Sequence, residues 1–361
     1  MASTESVSHD ELVVCGCGNV EFTARDAIEL ALFRGDLEPR WREFLRRVAA
    51  EKQAVALDAD LEDEAFDAAA EAFRYEHDLI TAEETEQWLA ARDLSVDDFS
   101  DYFSRLCWGQ TPPENTQPEE IDYLSAPPEL RDLFAVELIL SGQLERMTTV
   151  LSWRLAALAA EKDVDLALVA AEKESFLERN KMEAAQLPSW LERVGRDQEW
   201  FDKRAMMEAA YRRRCSSLLV PNAHQKELSS LRLPLTRFET EVMELESRDA
   251  AMEALFCVRE DGMSMEEVAS EGRYPYRRIE FVLEDLSEEV QQKFLSVTPG
   301  QILEPLARGD GYELCRITRR IEPQADDPAV QLRIEQRLLQ RHFSELASKH
   351  VERRLGGAAA Q

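Results

Sequence analysis

Pro299-Gly300-Gln301-Ile302-Leu303-Glu304-Pro305 and, six residues on, Gly311-Tyr312-Glu313-Leu314-Cys315-Arg316-Ile317 are the most diagnostic segments of the chain. Pro-Gly marks a turn. In 311–317 successive side chains alternate, so Glu313, Cys315 and Ile317 share one face of a strand and Tyr312, Leu314 and Arg316 the other. Upstream, a helix-like run from Arg248 to Val258 leads into Gly262-Met263-Ser264-Met265-Glu266-Glu267-Val268-Ala269. Downstream, Asp327-Pro328 supplies an N-cap and a first-turn proline. It opens an amphipathic helix carrying Val330, Ile334, Leu338, Phe343, Leu346 and Val351.

The order and spacing from Glu239 to Arg319 resemble a parvulin-type peptidyl-prolyl isomerase domain. That family reads Gly-x-x-Phe-x-x-[Leu/Val]-Ala, then Pro-Gly-x-[Ile/Val]-x-x-Pro, then Gly-Tyr-His-[Ile/Leu]-x-[Lys/Arg]-[Val/Ile]. The resemblance implies a small α+β module over 237–321 with a four-stranded sheet and a groove for peptide. Three departures stand out. Glu313 replaces the histidine, and no histidine lies between His224 and His342, so the first strand, within 239–246, lacks one as well. The stretch from Ala269 to Phe294 is also short and lacks a Gly-Gly-Asp-Leu-Gly-Trp-like turn.

A prolyl bond rotates over a barrier of about 18–20 kcal/mol without any covalent bond breaking, so an apolar slot without imidazole still admits weak catalysis. The resemblance implies Glu313, Cys315, Met265, Phe281, Phe294 and Tyr276, with Leu295, as the residues lining the slot. The alternative for the apolar ones is core. Glu313 is placed either to pair with an Arg, Lys or amine of a bound peptide or to point to water from an edge strand.

The first two thirds of the chain are duplicated. Ala27-Ile28-Glu29-Leu30-Ala31-Leu32 with Gly35-Asp36-Leu37-Glu38 matches Ala135-Val136-Glu137-Leu138-Ile139-Leu140 with Gly142-Gln143-Leu144-Glu145. Ala49-Ala50-Glu51-Lys52 matches Ala159-Ala160-Glu161-Lys162, and Glu64-Ala65-Phe66 matches Glu174-Ser175-Phe176. Trp88-Leu89 with Phe99 matches Trp190-Leu191 with Phe201. Apolar residues three and four apart (Phe44, Val48; Phe66, Ala70, Phe73) make each copy helical. Ser95 and Asp97 sit where a cap opens the helix at Asp98–Cys107.

Each copy resembles the N-terminal helical domain of SurA-type chaperones, in which helical and parvulin modules cradle unfolded peptide and a C-terminal helix docks on the helical body. The expected layout is therefore an N-terminal segment (1–23), helical repeat 1 (24–110), a Pro-rich linker (111–128) and helical repeat 2 (129–236). The parvulin-like α+β domain (237–321), a C-terminal helix (322–355) and a frayed tail (356–361) follow. The fold class is mainly α with a small α+β domain.

Composition bounds the partners. Forty-three basic against 72 acidic residues give a net charge of −29 over 361 residues. Such a surface repels nucleic acid and anionic membranes. Between Asp58 and Asp101 there are 16 acidic and two basic residues. That stretch is either a solvated helix surface or a device steering a partner with a basic segment. Met1–Asp10 lacks the basic and apolar regions of a secretory signal, and no run approaches the 18 apolar residues of a membrane helix.

Six scattered cysteines point to reduced thiols and a cytoplasmic location, unlike the periplasmic SurA-type chaperones. Cys15-Gly16-Cys17-Gly18 offers two ligands without support and reads as a turn before a short strand, Val20 to Phe22. The five histidines form no cluster, and no phosphate loop or hydrolase motif is present, so no metal or cofactor is expected.

The function expected is a non-catalytic peptide-binding protein. It would hold a precursor or unfolded peptide and present it to a separate modifying enzyme. The layout resembles accessory, peptide-maturation proteins of ribosomal peptide natural product pathways. The alternatives are a His-less prolyl isomerase and a general holdase chaperone. A two-copy helical body also offers a surface for a homodimer.

Overall fold

A computed structural model describes residues 8–61, 63–161 and 163–355. Lys162 of the duplicated Ala-Ala-Glu-Lys motif and the tail at 356–361 lie outside the described residues. The chain divides into two compact units, one of residues up to 216 with those from 341 on, the other of 217–340. The class is the one expected, mainly α with small antiparallel sheets.

The first unit opens with β1 (Val13–Cys17) and β2 (Val20–Thr23). Five helices make copy 1: α1 (Ala24–Arg34), α2 (Glu38–Ala56), α3 (Asp63–Glu76), α4 (Ala82–Ala90) and α5 (Val96–Gln110). Copy 2 has α6 (Pro128–Leu140), α7 (Gln143–Ala160), α8 (Leu166–Arg179), α9 (Leu187–Arg193) and α10 (Gln198–Leu218). Gly35 and Gly142 hold the same bend before the second helix at φ 83° and 66°, where a side chain would be strained. Ser95 caps α5 reciprocally with Asp98.

Helix ends correct one match in the repeat. Helices α3 and α8 each run 14 residues and are followed two residues later by a left-handed residue, Asp78 or Lys181. Phe73, not Phe66, therefore stands opposite Phe176. The rings agree. Phe73 lies 5.3 Å from Trp88 and 5.4 Å from Phe99. Phe176 lies 5.5 Å from Trp190 and 5.1 Å from Phe201.

The two copies exchange their first helices. From α1, Phe33 stacks on Phe176 at 5.0 Å, and Glu29 accepts hydrogen bonds from Arg196, Trp200 and Arg204, all in copy 2. From α6, Phe134 packs 5.0 Å from both Trp41 and Phe44, and Glu137 accepts from Arg47 Nη1 at 2.8 Å, all in copy 1.

Two of the expected segments are packed into the first unit. The segment before Ala24 is no separate piece, because β1 is the central strand of a sheet between β2 and β7 (Val351–Arg353). Cys15 and Cys17 thus lie within a strand, and the turn falls at Gly18-Asn19. The Pro-rich linker is docked on copy 1. Tyr123 is buried beside Trp41, whose indole N–H donates to the Ile121 carbonyl at 2.6 Å.

The second unit begins inside the expected second repeat. Helix α11 (Pro221–Ser230) and the turn after it place Leu228, Leu231 and Leu235 against Val330 and Ile334 of α15 (Pro328–His350), which gives them the apolar cover they need. Helix α15 begins at the predicted cap, the Asp327 carboxylate accepting from the Ala329 amide at 2.9 Å. Its residues from 341 on belong to the first unit, where Phe343 stacks on Tyr211 and Trp153. Between α11 and α15 lies the α+β module. In chain order it runs β3 (Arg237–Leu245), α12 (Arg248–Arg259), α13 (Met265–Gly272), β4 (Tyr276–Val282), α14 (Glu288–Ser296), β5 (Leu306–Arg308) and β6 (Gly311–Ile321). Its sheet is antiparallel throughout, in the order β4-β3-β6-β5.

Candidate functional site

The alternation predicted for 311–317 holds, and it fixes what each face of the sheet can do. Leu314, Met243 and Leu245 meet α12 and α13 through Ala251, Leu255, Met265 and Val268. On the other face Cys315, Ile317, Val242 and Phe238 meet Phe294 of α14 together with Leu303 and Leu306.

The six predicted slot residues are therefore divided between two faces and do not line one slot. Met265 and Tyr276 belong to the α12–α13 face, while Phe281, Phe294, Cys315 and Glu313 belong to the α14 face. Met265, Phe294 and Cys315 are fully buried, so they are core; a residue with no free surface cannot meet a ligand. Burial pushes the Cys315 thiol up to about 12, aided by the nearby Glu313 charge, which keeps it protonated and inert. Leu295 is exposed. Tyr276 and Phe281 are half-buried, and both stand on β4.

Glu313 matches neither of the two expectations. Strand β6 is interior, and the side chain is 8% exposed. It stands directly across from Glu244 on β3, a like-charged pair that would be destabilising alone. Two arginines resolve the repulsion. Arg308 of β5 donates to both Glu313 oxygens at 2.7 and 2.9 Å. Arg277 of β4 donates to Glu313 at 3.0 Å and pairs with Glu244 at 2.5 Å. The result is one charged row across all four strands, Arg277–Glu244–Glu313–Arg308. The hydrogen bond to Glu313 holds the Arg308 pKa above its ordinary value.

The Glu313 carboxylate is thus spoken for inside the protein. The open concavity of about 500 Å³ at this end is lined by both exposed guanidiniums together with Glu244, Glu246, Glu313, Pro275 and Tyr312, so its charges are mixed. Sequence reasoning missed both arginines. Their signal was the alternation itself, which puts Arg277 and Glu313 on one face once β4 and β6 flank β3.

A second concavity, of about 810 Å³, opens at the other end of the module. It is lined by Val258, Met263, Val297 and Ile302, with Arg259 and Arg316 at its margin.

The remaining feature is the β4 edge. The Glu244 amide donates to the Pro275 carbonyl and the Leu283 amide to the Thr236 carbonyl, so positions 275 and 283 face β3. By the antiparallel alternation 277, 279 and 281 do so too. The amides and carbonyls of Tyr276, Arg278, Glu280 and Val282 therefore point outward, and among the described residues no strand pairs with them. Ile279 and Phe281 flank this edge on the α14 face, half-buried. On the other face Tyr276 and Arg278 both donate to Glu241, at 2.9 and 3.3 Å.

No protein-family model and no curated protein matches the chain. Among solved structures it is similar to the peptidylprolyl isomerase PrsA of Bacillus cereus, with 12% identity over 64% of this chain and 88% of that one, at a TM-score of 0.37. It is also similar to the foldase PrsA of Streptococcus pneumoniae, with 12% identity over 63% and 89% at a TM-score of 0.28. A SurA-like chaperone of Campylobacter jejuni aligns with 12% identity over 59% and 86% at a TM-score of 0.20.

Proposed function

We propose that this chain is a non-catalytic holder of extended peptide, which docks as an added strand on the outer edge of β4. The free edge carries the reading: seven residues without proline, with four outward-facing backbone positions. An extended segment gains main-chain hydrogen bonds from such an edge, and its alternate side chains meet different surroundings. One set lies along Ile279 and Phe281, the other along Tyr276, Arg278 and Glu280. The preferred ligand alternates apolar and charged residues.

Neither Cys315, buried and protonated, nor Glu313, bonded to two arginines, is presented to such a ligand, which favours holding over isomerisation. The broad form of the proposal is a holdase for unfolded segments. The narrow form is presentation of one precursor peptide to a modifying enzyme, as in ribosomal peptide natural product maturation. Six free cysteines suit a reducing, cytoplasmic setting for either.

The test is Arg278→Pro, which removes an outward amide without touching the β3 ladder. Anisotropy of a labelled alternating peptide should show affinity falling about tenfold, one hydrogen bond's worth, while Arg278→Ala loses less than about threefold. Unchanged binding by a folded Arg278→Pro protein would remove the edge from consideration. Equal affinity for many unrelated unfolded peptides selects the broad form, and preference for one selects the narrow form.

A further inference from the structure

The two helical copies differ at one surface. In copy 2, Lys173 of α8 reaches across the Phe201 ring of α10, its ammonium 6.0 Å from the ring centre, and pairs with Asp202 at 2.6 Å. The helix ends equate Lys173 with Ala70, Phe201 with Phe99 and Asp202 with Ser100. Copy 1 therefore has the aromatic floor without the cation that crosses it in copy 2, and a groove of about 520 Å³ opens there between α3, α4 and α5.

The floor of the groove is Ala70, Leu89, Val96 and Phe99, of which Val96 is 52% exposed. Its rim carries Asp67, Glu71 and Glu86, all exposed, with Arg74 as the single cation among the lining residues. None of the three acids takes part in an ion pair among the described residues. The groove lies within the stretch that carries 16 acidic and two basic residues.

We infer that this groove is a docking site for a lysine-bearing amphipathic segment of a partner protein, distinct from the peptide held on β4. The partner's lysine lies over Phe99 as Lys173 lies over Phe201, and the acidic rim of α3 and α4 takes the part of Asp202. Its apolar face covers Val96, the exposed part of the floor, while Leu89 beneath is core. Cation over ring and cation beside carboxylate are both attractive. A second copy of this chain, itself at −29, is a poorer occupant.

The experiment uses the full chain and a labelled helix-forming peptide of Lys and Leu at i, i+4 spacing, with a Glu-for-Lys version as its opposite. Ala70→Lys gives copy 1 the cation that copy 2 already has, and should weaken Lys/Leu peptide binding at least fivefold. The pair Glu71→Gln with Glu86→Gln should do the same and flatten the salt dependence. Ala167→Lys, an equal charge change on an exposed site of copy 2, and Arg278→Pro should leave it within twofold. Equal loss in Ala70→Lys and Ala167→Lys would mean diffuse charge only, and so would equal binding of the Glu peptide; either overturns the site. Self-association that Ala70→Lys abolishes would assign the groove to a second copy and overturn the partner reading. Should Ala70→Lys alter the helical circular dichroism, the Gln pair decides.

Discussion

Copy 1 and copy 2 of the helical unit complete the same ring cluster with a phenylalanine drawn from different places. In copy 1 it comes from within, since Phe103 of α5 packs 4.7 Å from Phe99 and 5.7 Å from Phe73. In copy 2 the equivalent position is Ala205, and the space it leaves is taken by Phe33 of α1, which belongs to the other copy. The counterpart of Phe33 across the repeat falls at Ser141, beyond the end of α6. A duplicated chain can thus keep its packing while making the copies depend on each other, because an aromatic slot registers only volume and shape.

Phe33→Ala should be the most damaging change, costing about 3–5 kcal/mol as expected for a fully buried aromatic. Adding Ala205→Phe supplies a ring from α10, as copy 1 does from α5, and should recover part of that loss. Ala205→Phe alone overpacks the slot and should cost about 1–3 kcal/mol. Thermal unfolding of the full chain followed by circular dichroism measures all three. A double variant no more stable than Phe33→Ala would show that the two slots are not equivalent.

The charges that travel with the exchanged helices differ in the same sense. Glu29 is matched in the repeat by Glu137. Glu29 meets Arg204, a guanidinium whose side chain is 7% exposed, whereas Glu137 meets Arg47, at 22%. Glu29→Gln leaves a buried cation short of its counter-charge and should cost about 3–5 kcal/mol. Glu137→Gln should cost less, about 1–2 kcal/mol. Burial raises the Glu137 pKa against the pull of Arg47 and Arg105. Its share of stability is therefore present below the ordinary carboxyl range and fades as pH rises through the raised value. The glutamine variant should lose that pH dependence. If Glu137→Gln proves as costly as Glu29→Gln, exposure of the paired arginine does not set the difference.

Sequence carried the repeat and the strand alternation but mispaired part of the repeat for a definite reason. Glu64-Ala65-Phe66 and Glu71-Ala72-Phe73 read alike and lie seven residues apart, about two helical turns, so either places a phenylalanine on the same face. Only the helix ends choose between them. Likewise, period-2 alternation told which residues of β6 share a face, but not which face is sealed. That depends on α14 and Leu303 closing over Cys315, contacts between segments far apart in the chain. Glu313 was located by its motif, and its arginine partners were hidden because they come from two other strands. The β4 edge was legible only as an edge somewhere in the sheet, since strand order is a property of the assembled module.

One contact has no counterpart in the repeat and gives the smallest test of the comparison. His9 Nδ1 lies 3.2 Å from the Asp132 carboxylate of α6, and Nε2 lies 2.9 Å from the Asp93 carbonyl of copy 1. Both ring nitrogens face acceptors, which only the imidazolium can satisfy. The Asp132 hydrogen bond accordingly raises the His9 pKa, against burial and with help from the Asp93 carbonyl. Burial would raise Asp132, but the bonds from His9 and Ser8 outweigh it and hold its pKa below the ordinary value. A raised histidine pKa gives stability that is complete below about 6.5 and is lost as pH climbs through the folded value. The aspartate share runs the other way, lost as pH falls through its lowered value. Their joint contribution therefore peaks in mildly acidic solution. His9→Gln keeps a donor but no charge, and should cost about 0.5–1 kcal/mol near pH 5.5 and little at pH 8.5. Melting temperatures of the two proteins at those pH values measure the difference. The same gap at both would mean that the pin holds the copies together through shape rather than charge.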